Sequence, residues 1–168
     1  MALLPILQVV QKRVIDSDAG SAESRVHLSS IAFQTIAKNP IFGYGAGNCH
    51  LACLPVANES EFRSEWYYTI HCKYLLVWIE TGIFGLVAFV LVLLNGLRYG
   101  FVAWQQKRRN LSPLGLGCSA AIAGHMVHMI VDIFNARPQV QTLWIVLGVS
   151  AAVYSFSLRE IAKNPKKN

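Results

Sequence analysis

Residues 82–101 decide the fold: GIFGLVAFVLVLLNGLRYGF is a run of twenty residues with a single charge. That is the length a helix needs to cross a bilayer, and Arg98 lies near enough to the end of the run for its long side chain to reach the membrane surface. Two more apolar segments follow, at residues 111–134, uncharged until Asp132, and at residues 140–158, uncharged throughout. The sequence therefore predicts an all-α, polytopic integral membrane protein with about three transmembrane helices.

Composition and charge support this class. Hydrophobic residues make up 54% of the chain, charged residues 14%, and the mean hydropathy is +0.39, whereas a soluble domain carries about 25% charged residues. Residues 1–80 have a net charge of −1 and residues 81–168 one of +7, which together give the total of +6. The positive charges lie between and after apolar segments, so they indicate membrane topology and not nucleic-acid binding. A water-soluble enzyme is excluded.

The basic clusters predict the orientation. Residues 105–110 (QQKRRN) and residues 159–167 fall on the same side of a three-span arrangement, and positively charged loops stay in the cytoplasm. The expected organisation is a partial or interfacial apolar helix at 1–15, an extracytoplasmic loop at 16–80, a three-span region at 81–158 and a basic cytoplasmic tail at 159–168. Two interpretations are open for residues 1–15. We prefer the outer end of a transmembrane helix whose beginning is missing; the alternative is an interfacial helix.

The extracytoplasmic segment shows signs of local order. Residues 25–37 have the spacing of an amphipathic helix, with Ser21 or Ser24 as its cap and an end before Pro40. Residues 41–48 (IFGYGAGN) place glycines at alternate positions, which predicts a sharp turn at the membrane surface. The segment lacks the lysine and hydroxyl residue of a phosphate-binding loop.

The remainder of this segment leads into the first span. Residues 57–66 are polar and acidic, which predicts a solvated loop tip, and the pattern of residues 70–80 predicts a short helix dipping toward the bilayer. Thr81 is the expected cap of the first full span. Glu80 beside it is placed where a helix N-terminus favours a negative charge.

Several pieces of this sequence together resemble the O-antigen ligase family. The family's motif is a histidine followed, nine residues after its neighbour, by Gly-x-x-Gly, and it resembles His71-Cys72 and Gly82-Ile83-Phe84-Gly85 of this sequence. Position 72 is a cysteine, where the family usually has an amide or a serine. Arg25 and residues 38–48 (KNPIFGYGAGN) look like the stretch that precedes this motif. The segment ending His128-Met129-Ile130-Val131-Asp132, and the Pro138 and apolar span after it, are also similar. The resemblance covers about residues 24–158 and implies that the chain corresponds to the C-terminal part of longer family members.

The resemblance implies a membrane glycosyltransferase of the bacterial inner membrane. Such ligases transfer a glycan from undecaprenyl diphosphate to lipid A–core on the periplasmic face, without metal or nucleotide cofactor; related members polymerise O-antigen. The implied partners are the lipid-linked donor, lipid A–core or another glycan acceptor, and the bilayer. The alternatives are a polysaccharide polymerase of the same superfamily, or a non-catalytic membrane transporter or assembly subunit.

The resemblance implies roles for individual residues. An acceptor hydroxyl must lose its proton as it attacks, which a histidine does well, so His71 is the expected catalytic residue; the alternative is an interfacial histidine held by a backbone carbonyl. Arg25 is the residue expected to engage the diphosphate. Asp132 and Arg137 are also expected substrate-binding residues, because Asp132 lies near the outer end of the second span; a pairing of these two side chains with each other is the open alternative. The expected structural residues are Glu80, Gly82, Gly85 and His128. Glu80 is expected to cap its helix and not to orient His71, unless Gly82 marks a break that folds the chain back.

The second span carries an ionisable stripe and small residues. His125, His128 and Asp132 share one helix face, where interhelical hydrogen bonds are favoured over a metal site or a proton path. The small residues at 115–124 predict close helix packing against neighbours, either additional helices or a second copy. Cys49, Cys53 and Cys72 lie on the oxidising side under this topology, so one disulfide or unpaired packing are both open.

Overall fold

The structure is a computed structural model that describes residues 18–59, 70–106 and 111–163. These residues form five helices: α1 (Asp18–Lys38), α2 (Cys49–Glu59), α3 (Lys73–Gln105), α4 (Leu111–Val131) and α5 (Arg137–Lys163). The described ranges contain no strand, which confirms the predicted all-α class. The predicted helix at 1–15, the basic residues 107–110 and most of the tail lie outside the described residues.

Three helices, α3, α4 and α5, are long and apolar enough to cross a membrane. The predicted number of spans in this region is confirmed. α3 and α5 extend beyond their apolar runs, whereas α4 ends at Val131, just before Asp132. The non-helical residue Gly82 divides α3 into two helical stretches. The short helix predicted at residues 70–80 is therefore present from Lys73 onward, and the stretch after Gly82 contains the apolar run 82–101, whose length matches a hydrocarbon core of about 30 Å. Pro138 is the second residue of α5, where proline costs no helical hydrogen bond.

The segment before the spans is more helical than the sequence predicts. α1 begins at Asp18, so Ser21 and Ser24 lie inside the helix and the predicted caps are wrong; its end at Lys38 is as predicted. α2 was not predicted, and residues 57–59 belong to it and not to a loop tip. The hydroxyl of Thr81 donates to the carbonyl of Val77 one turn back, at 2.7 Å, so Thr81 does not act as an N-terminal cap.

The chain divides into two compact units, the first formed by residues 1–71 and 75–82 and the second by residues 72–74 and 83–168. In the first unit, α1 and α2 pack through Ile31, Val56 and Ala57, which are almost completely buried. Thr35 is buried beside them and satisfies its hydroxyl by donating to the carbonyl of Ile31 at 2.8 Å. This small core holds α2 in a helical conformation although Pro55 interrupts its hydrogen bonds.

In the second unit, α3, α4 and α5 pack through a cluster of buried apolar residues. The cluster contains Leu93, Ile122, Met129, Phe134, Leu143 and Leu147. Serine hydroxyls join the helices: Ser119 on α4 donates to the carbonyl of Leu97 at 3.2 Å, and Ser150 on α5 donates to that of Gly96 at 2.6 Å. Such contacts between small residues replace the hydrophobic driving force that helices lack within a membrane.

Candidate functional site

The first unit is organised around a break in α3 at Gly82. Gly82 has φ 68° and ψ −173°, a conformation that is essentially restricted to glycine. A Cβ atom at this position would overlap the backbone carbonyl of Ile41. The first glycine of the Gly-x-x-Gly motif is therefore required for two reasons, its backbone angles and the close approach of another chain segment. The helix is therefore interrupted at Gly82, two residues after Glu80.

The segment that approaches Gly82 is the glycine loop, residues 39–48. Gly43 has φ 69°, and a Cβ there would lie 2.5 Å from the backbone nitrogen of Gly82. A break in a helix leaves carbonyls without their usual N–H partners, and the loop supplies them. The N–H of Tyr44 donates to the carbonyl of Ile79, and the N–H of Gly45 donates to that of Glu80, both at 2.8 Å.

Side chains hold the glycine loop in this shape. The amide of Asn39 donates to the carbonyl of Gly43 at 2.6 Å, and the hydroxyl of Tyr44 donates to the carbonyl of Thr35 on α1 at 3.2 Å. The indole N–H of Trp78 on α3 donates to the carbonyl of Pro40 at 3.0 Å. The predicted sharp turn is confirmed, and its glycines form one backbone junction with the first glycine of the Gly-x-x-Gly motif.

His71 lies two residues before α3, in the same unit as this junction. The residue is partly buried, and its Nδ1 atom is fully buried without a hydrogen-bond partner among the described residues. An unpaired buried polar atom costs about 1–3 kcal/mol, and such atoms are rare in folded proteins. The ring therefore offers one nitrogen in an enclosed setting, to donate or accept a proton according to its tautomer.

Arg25 is exposed on α1, and its side chain lines an open groove along one face of that helix with Val26, Ser29, Ser30, Phe33 and Gln34. Val26 and Phe33 are also exposed, so the groove combines a cation and hydroxyls with apolar surface. The interactions of the described residues do not join Arg25 to His71. The structure therefore places Arg25 at a surface accessible to an anion, but does not bring the two predicted residues together.

A pair of thiols lies beside the glycine loop, one helical turn apart on α2. The thiol of Cys49 donates a hydrogen bond to Cys53, which raises the pKa of Cys49; burial and the charge of Glu80 raise it further. The same hydrogen bond lowers the pKa of Cys53 to about 7, with help from Thr35, whose hydroxyl lies 3.6 Å from its sulfur. All four cysteines are free thiols in the structure. Of the two possibilities left open by the sequence, a disulfide or unpaired thiols, the structure has the second.

A second polar cluster lies in the second unit, in the turn between α4 and α5. The Nε2 atom of His128 lies 2.9 Å from Oδ2 of Asp132, and the amide of Gln139 donates to the same oxygen at 3.4 Å. The backbone N–H of Ile133 donates to Oδ1 at 2.8 Å. Burial alone would raise the pKa of Asp132, but the hydrogen bonds from Ile133 and Gln139 and the contact with His128 outweigh it, so this pKa is lowered.

The backbone of this turn is strained. Phe134 has φ 54°, which is a rare conformation for a bulky residue. Its ring is buried and packs edge-on against the rings of His125 and His128, at centroid distances of 5.2 and 6.2 Å. Next to it, Lys73 donates to the side-chain oxygen of Asn135 at 2.8 Å. Strained residues of this kind collect at functional sites, and this one lies two residues after Asp132.

The sequence prediction for this turn is only partly met. His128 does pair with Asp132, at the i, i+4 spacing of the predicted stripe. Among the described residues, however, the side-chain partners of Asp132 are His128 and Gln139, and the pairing with Arg137 that the sequence left open is not found. Arg137 is exposed as the first residue of α5.

Several residues at these sites were not singled out from the sequence: Thr35, Lys73, Phe134, Asn135 and Gln139. Gln139 had a usable signal, because it lies in the first turn of a helix that follows the predicted carboxylate closely. Lys73 and Asn135 are far apart in sequence and carried no such signal.

Within the described ranges, no group of three or more His, Cys, Asp and Glu side chains is arranged to hold a metal ion. Gly85 lies on α3, one turn after the break.

These features define an all-α membrane protein in which a glycine-rich loop docks onto a glycine break in a spanning helix. The unit that contains this junction also contains His71, whose Nδ1 has no hydrogen-bond partner among the described residues. The family model described as O-antigen ligase matches residues 2–90, more than half of the chain. The chain belongs to the O-antigen ligase family. No curated protein and no solved structure matches the sequence.

Proposed function

We propose that this chain carries out the final transfer step of a polyprenyl-linked glycan, as an O-antigen ligase or its C-terminal part. The donor is a glycan on undecaprenyl diphosphate, and the acceptor is lipid A–core at the periplasmic face of the bacterial inner membrane. The observation that carries the proposal is that Nδ1 of His71 is buried and has no hydrogen-bond partner among the described residues. His71 belongs to the unit that contains the backbone junction. That junction explains why the first glycine of the Gly-x-x-Gly motif is required, and the family model that matches this part of the chain is described as O-antigen ligase.

The proposed reaction is an inverting displacement. An acceptor hydroxyl attacks the anomeric carbon of the donor sugar, the bond from that carbon to the phosphate oxygen breaks, and the lipid diphosphate leaves with the electron pair. The hydroxyl proton passes to the imidazole of His71, which acts as the general base. No described residue forms a hydrogen bond with Nδ1, so the structure does not commit this nitrogen to a protein donor such as a backbone N–H.

The negative charge of the leaving diphosphate requires cationic donors. Arg25 supplies a guanidinium on an accessible groove, and its fork geometry suits two phosphate oxygens at once. Arg137 is a second exposed guanidinium, in the turn region of the second unit. We assign Arg25 to binding of the diphosphate, and Arg137 remains a predicted substrate-binding residue of the second unit.

Asp132 is assigned to hydroxyl recognition and not to proton transfer. Its two oxygens accept from Ile133, His128 and Gln139, and an ionised carboxylate has about four acceptor sites, so capacity for one more donor remains. A sugar hydroxyl is such a donor. The lowered pKa keeps the carboxylate charged and therefore accepting.

The orientation needed by this reaction follows from the charge distribution. Residues 16–80 would face the periplasm and the C-terminal tail the cytoplasm, because the basic clusters follow the first and third spans. The acceptor separates ligase from polymerase: a ligase uses lipid A–core, and a polymerase uses a second lipid-linked glycan at the same centre.

The test is replacement of His71 by Gln, which retains the size and polarity of the ring but not its basicity. We expect loss of glycan-bearing lipopolysaccharide and accumulation of the polyprenyl-linked glycan in cells that depend on this protein. His50→Gln, at an exposed histidine on α2, is the matched control and should retain transfer. Undiminished transfer by His71→Gln at normal abundance would remove His71 from the mechanism; shortened chains that are still ligated would indicate a polymerase.

A further inference from the structure

The tip of the glycine loop carries two large apolar side chains that the protein does not cover. Phe42 is 80% exposed and Ile41 is 48% exposed. The neighbouring backbone is fixed by Gly43 and Gly82, which lie in contact, and by the hydrogen bonds of Tyr44 and Gly45 to α3. The tip therefore cannot fold back to bury these side chains without breaking the junction. Adjacent exposed apolar side chains on a rigid loop indicate an interaction surface.

The contact with Gly82 fixes the depth of this tip relative to the bilayer. The backbone of Ile41 and Phe42 lies against Gly82, the first residue of the apolar run 82–101, and Glu80 is the last charged residue before it. Twenty helical residues at about 1.5 Å each match a hydrocarbon core of about 30 Å. Gly82 therefore lies at the boundary between headgroups and hydrocarbon, and so does the loop tip.

The surroundings of the tip have the chemistry of that boundary. Trp78 donates its indole N–H to the carbonyl of Pro40, directly before the tip, and tryptophan is enriched at the membrane interface. Lys38, the last residue of α1, is exposed on the same segment and suits the lipid phosphates. A cation, an indole and two apolar side chains thus lie within the same short region.

We infer that Ile41 and Phe42 insert into the acyl chains of the leaflet at which the apolar run of α3 begins, and anchor the glycine loop to the bilayer. The occupant of this surface is lipid and not a protein partner. The insertion fixes the depth of the unit that contains His71. It holds whichever face of the membrane that unit occupies, so it does not depend on the proposed glycan transfer.

The test uses a tryptophan as a depth reporter. Phe42→Trp is reconstituted with the full chain into phosphatidylcholine vesicles, with and without bromine atoms on the acyl chains, and the emission of the parent protein with its own four tryptophans is subtracted. We expect the added emission to be blue-shifted, strongly quenched by brominated lipid and insensitive to acrylamide in the water. Ile41→Trp should behave in the same way and provides a second reporter if Phe42→Trp does not fold.

Ala46→Trp is the matched control, because Ala46 is an exposed residue of the same loop beyond the hydrogen bond of Gly45 to Glu80. Its added emission should be quenched less by brominated lipid and more by acrylamide. If acrylamide alone quenches the reporter in Phe42→Trp, the tip lies in water and the inference is overturned. Protection of that reporter from both quenchers would show a protein surface as the occupant, and equal lipid quenching in Phe42→Trp and Ala46→Trp would contradict insertion of the tip; either result also overturns it.

Discussion

Replacement of Gly82 by Ala tests the backbone junction that holds the first unit together. Alanine adds only one carbon, so hydrophobicity and charge are almost unchanged. That carbon would overlap the carbonyl of Ile41, and the backbone angle φ of 68° is unfavourable for a residue with a side chain. The glycine loop must therefore move away from α3, and the hydrogen bonds from Tyr44 and Gly45 are lost with it.

The expected loss of free energy on replacing Gly82 has two contributions. The strained backbone conformation costs about 1–3 kcal/mol, and the loss of two backbone hydrogen bonds costs about 0.5–1.5 kcal/mol each. The free energy that holds the loop closed should fall by about 2–6 kcal/mol. Gly47→Ala is the matched control, because Gly47 also has a positive φ, 77°, but nothing lies within 4 Å of an added Cβ; only the strain of about 1–3 kcal/mol applies there.

Hydrogen exchange of the Tyr44 and Gly45 amides in detergent measures this directly. The two hydrogen bonds, about 1–3 kcal/mol together, distinguish the variants. Since each 1.4 kcal/mol corresponds to about a tenfold change, we expect exchange of these amides to accelerate by at least about fivefold more in Gly82→Ala than in Gly47→Ala. Equal acceleration in the two variants would show that the contact with Ile41 contributes nothing, and would refute the junction as the reason for the motif glycine.

Three further predictions concern other parts of the chain. Alkylation of Cys53 by iodoacetamide should reach half its maximal rate near pH 7, because its pKa is about 7; Cys49→Ala removes the donated hydrogen bond and should move the midpoint to higher pH, as followed by mass spectrometry. Asp132 has a lowered pKa, so its stabilising contribution is present above the unfolded pKa of about 3.9 and is lost as the pH falls through the folded value. Asp132→Asn should therefore lower the melting temperature at pH 7 and lose this effect in acid, and a pH-independent difference would contradict it. Gly100→Val should lower the melting temperature in detergent, since a Cβ at Gly100 meets the carbonyl of Gly115 at 2.7 Å and overpacking costs about 1–3 kcal/mol; Gly117→Val, with open space around it, should not.

The spans were predictable because a bilayer imposes a simple requirement, about twenty apolar residues in a helix. Their ends were less predictable, because nothing in the apolar run 82–101 shows that the helix continues to Gln105. α2 was missed for a related reason: residues 49–59 include Pro55 and have no clear apolar period, and their helix depends on Val56 and Ala57 packing against Ile31. Tertiary contacts of this kind do not appear in a local pattern.

In the candidate site, too, local features were predictable and tertiary contacts were not. His71 and Gly82 were identified by their resemblance to a family motif. The partner of Gly82 is Ile41, which is distant in sequence, and no local pattern joins the two. For Asp132, the sequence left a pairing with Arg137 or a substrate contact open and placed His128 on the same helix face. The structure pairs Asp132 with His128, one turn earlier, because helical geometry brings i and i+4 together.

The central claim is that the unit containing His71 lies on the periplasmic face, where a polyprenyl-linked glycan is transferred. Cys72, the next residue, is a native and partly exposed thiol, so a membrane-impermeant maleimide measures its side directly once Cys49, Cys53 and Cys118 are replaced by Ala. In intact spheroplasts we predict labelling of Cys72, and no labelling of a Gln106→Cys variant that also carries Cys72→Ala until the membrane is permeabilised. The reverse pattern, with Cys72 protected and position 106 labelled, would place His71 in the cytoplasm and contradict the account.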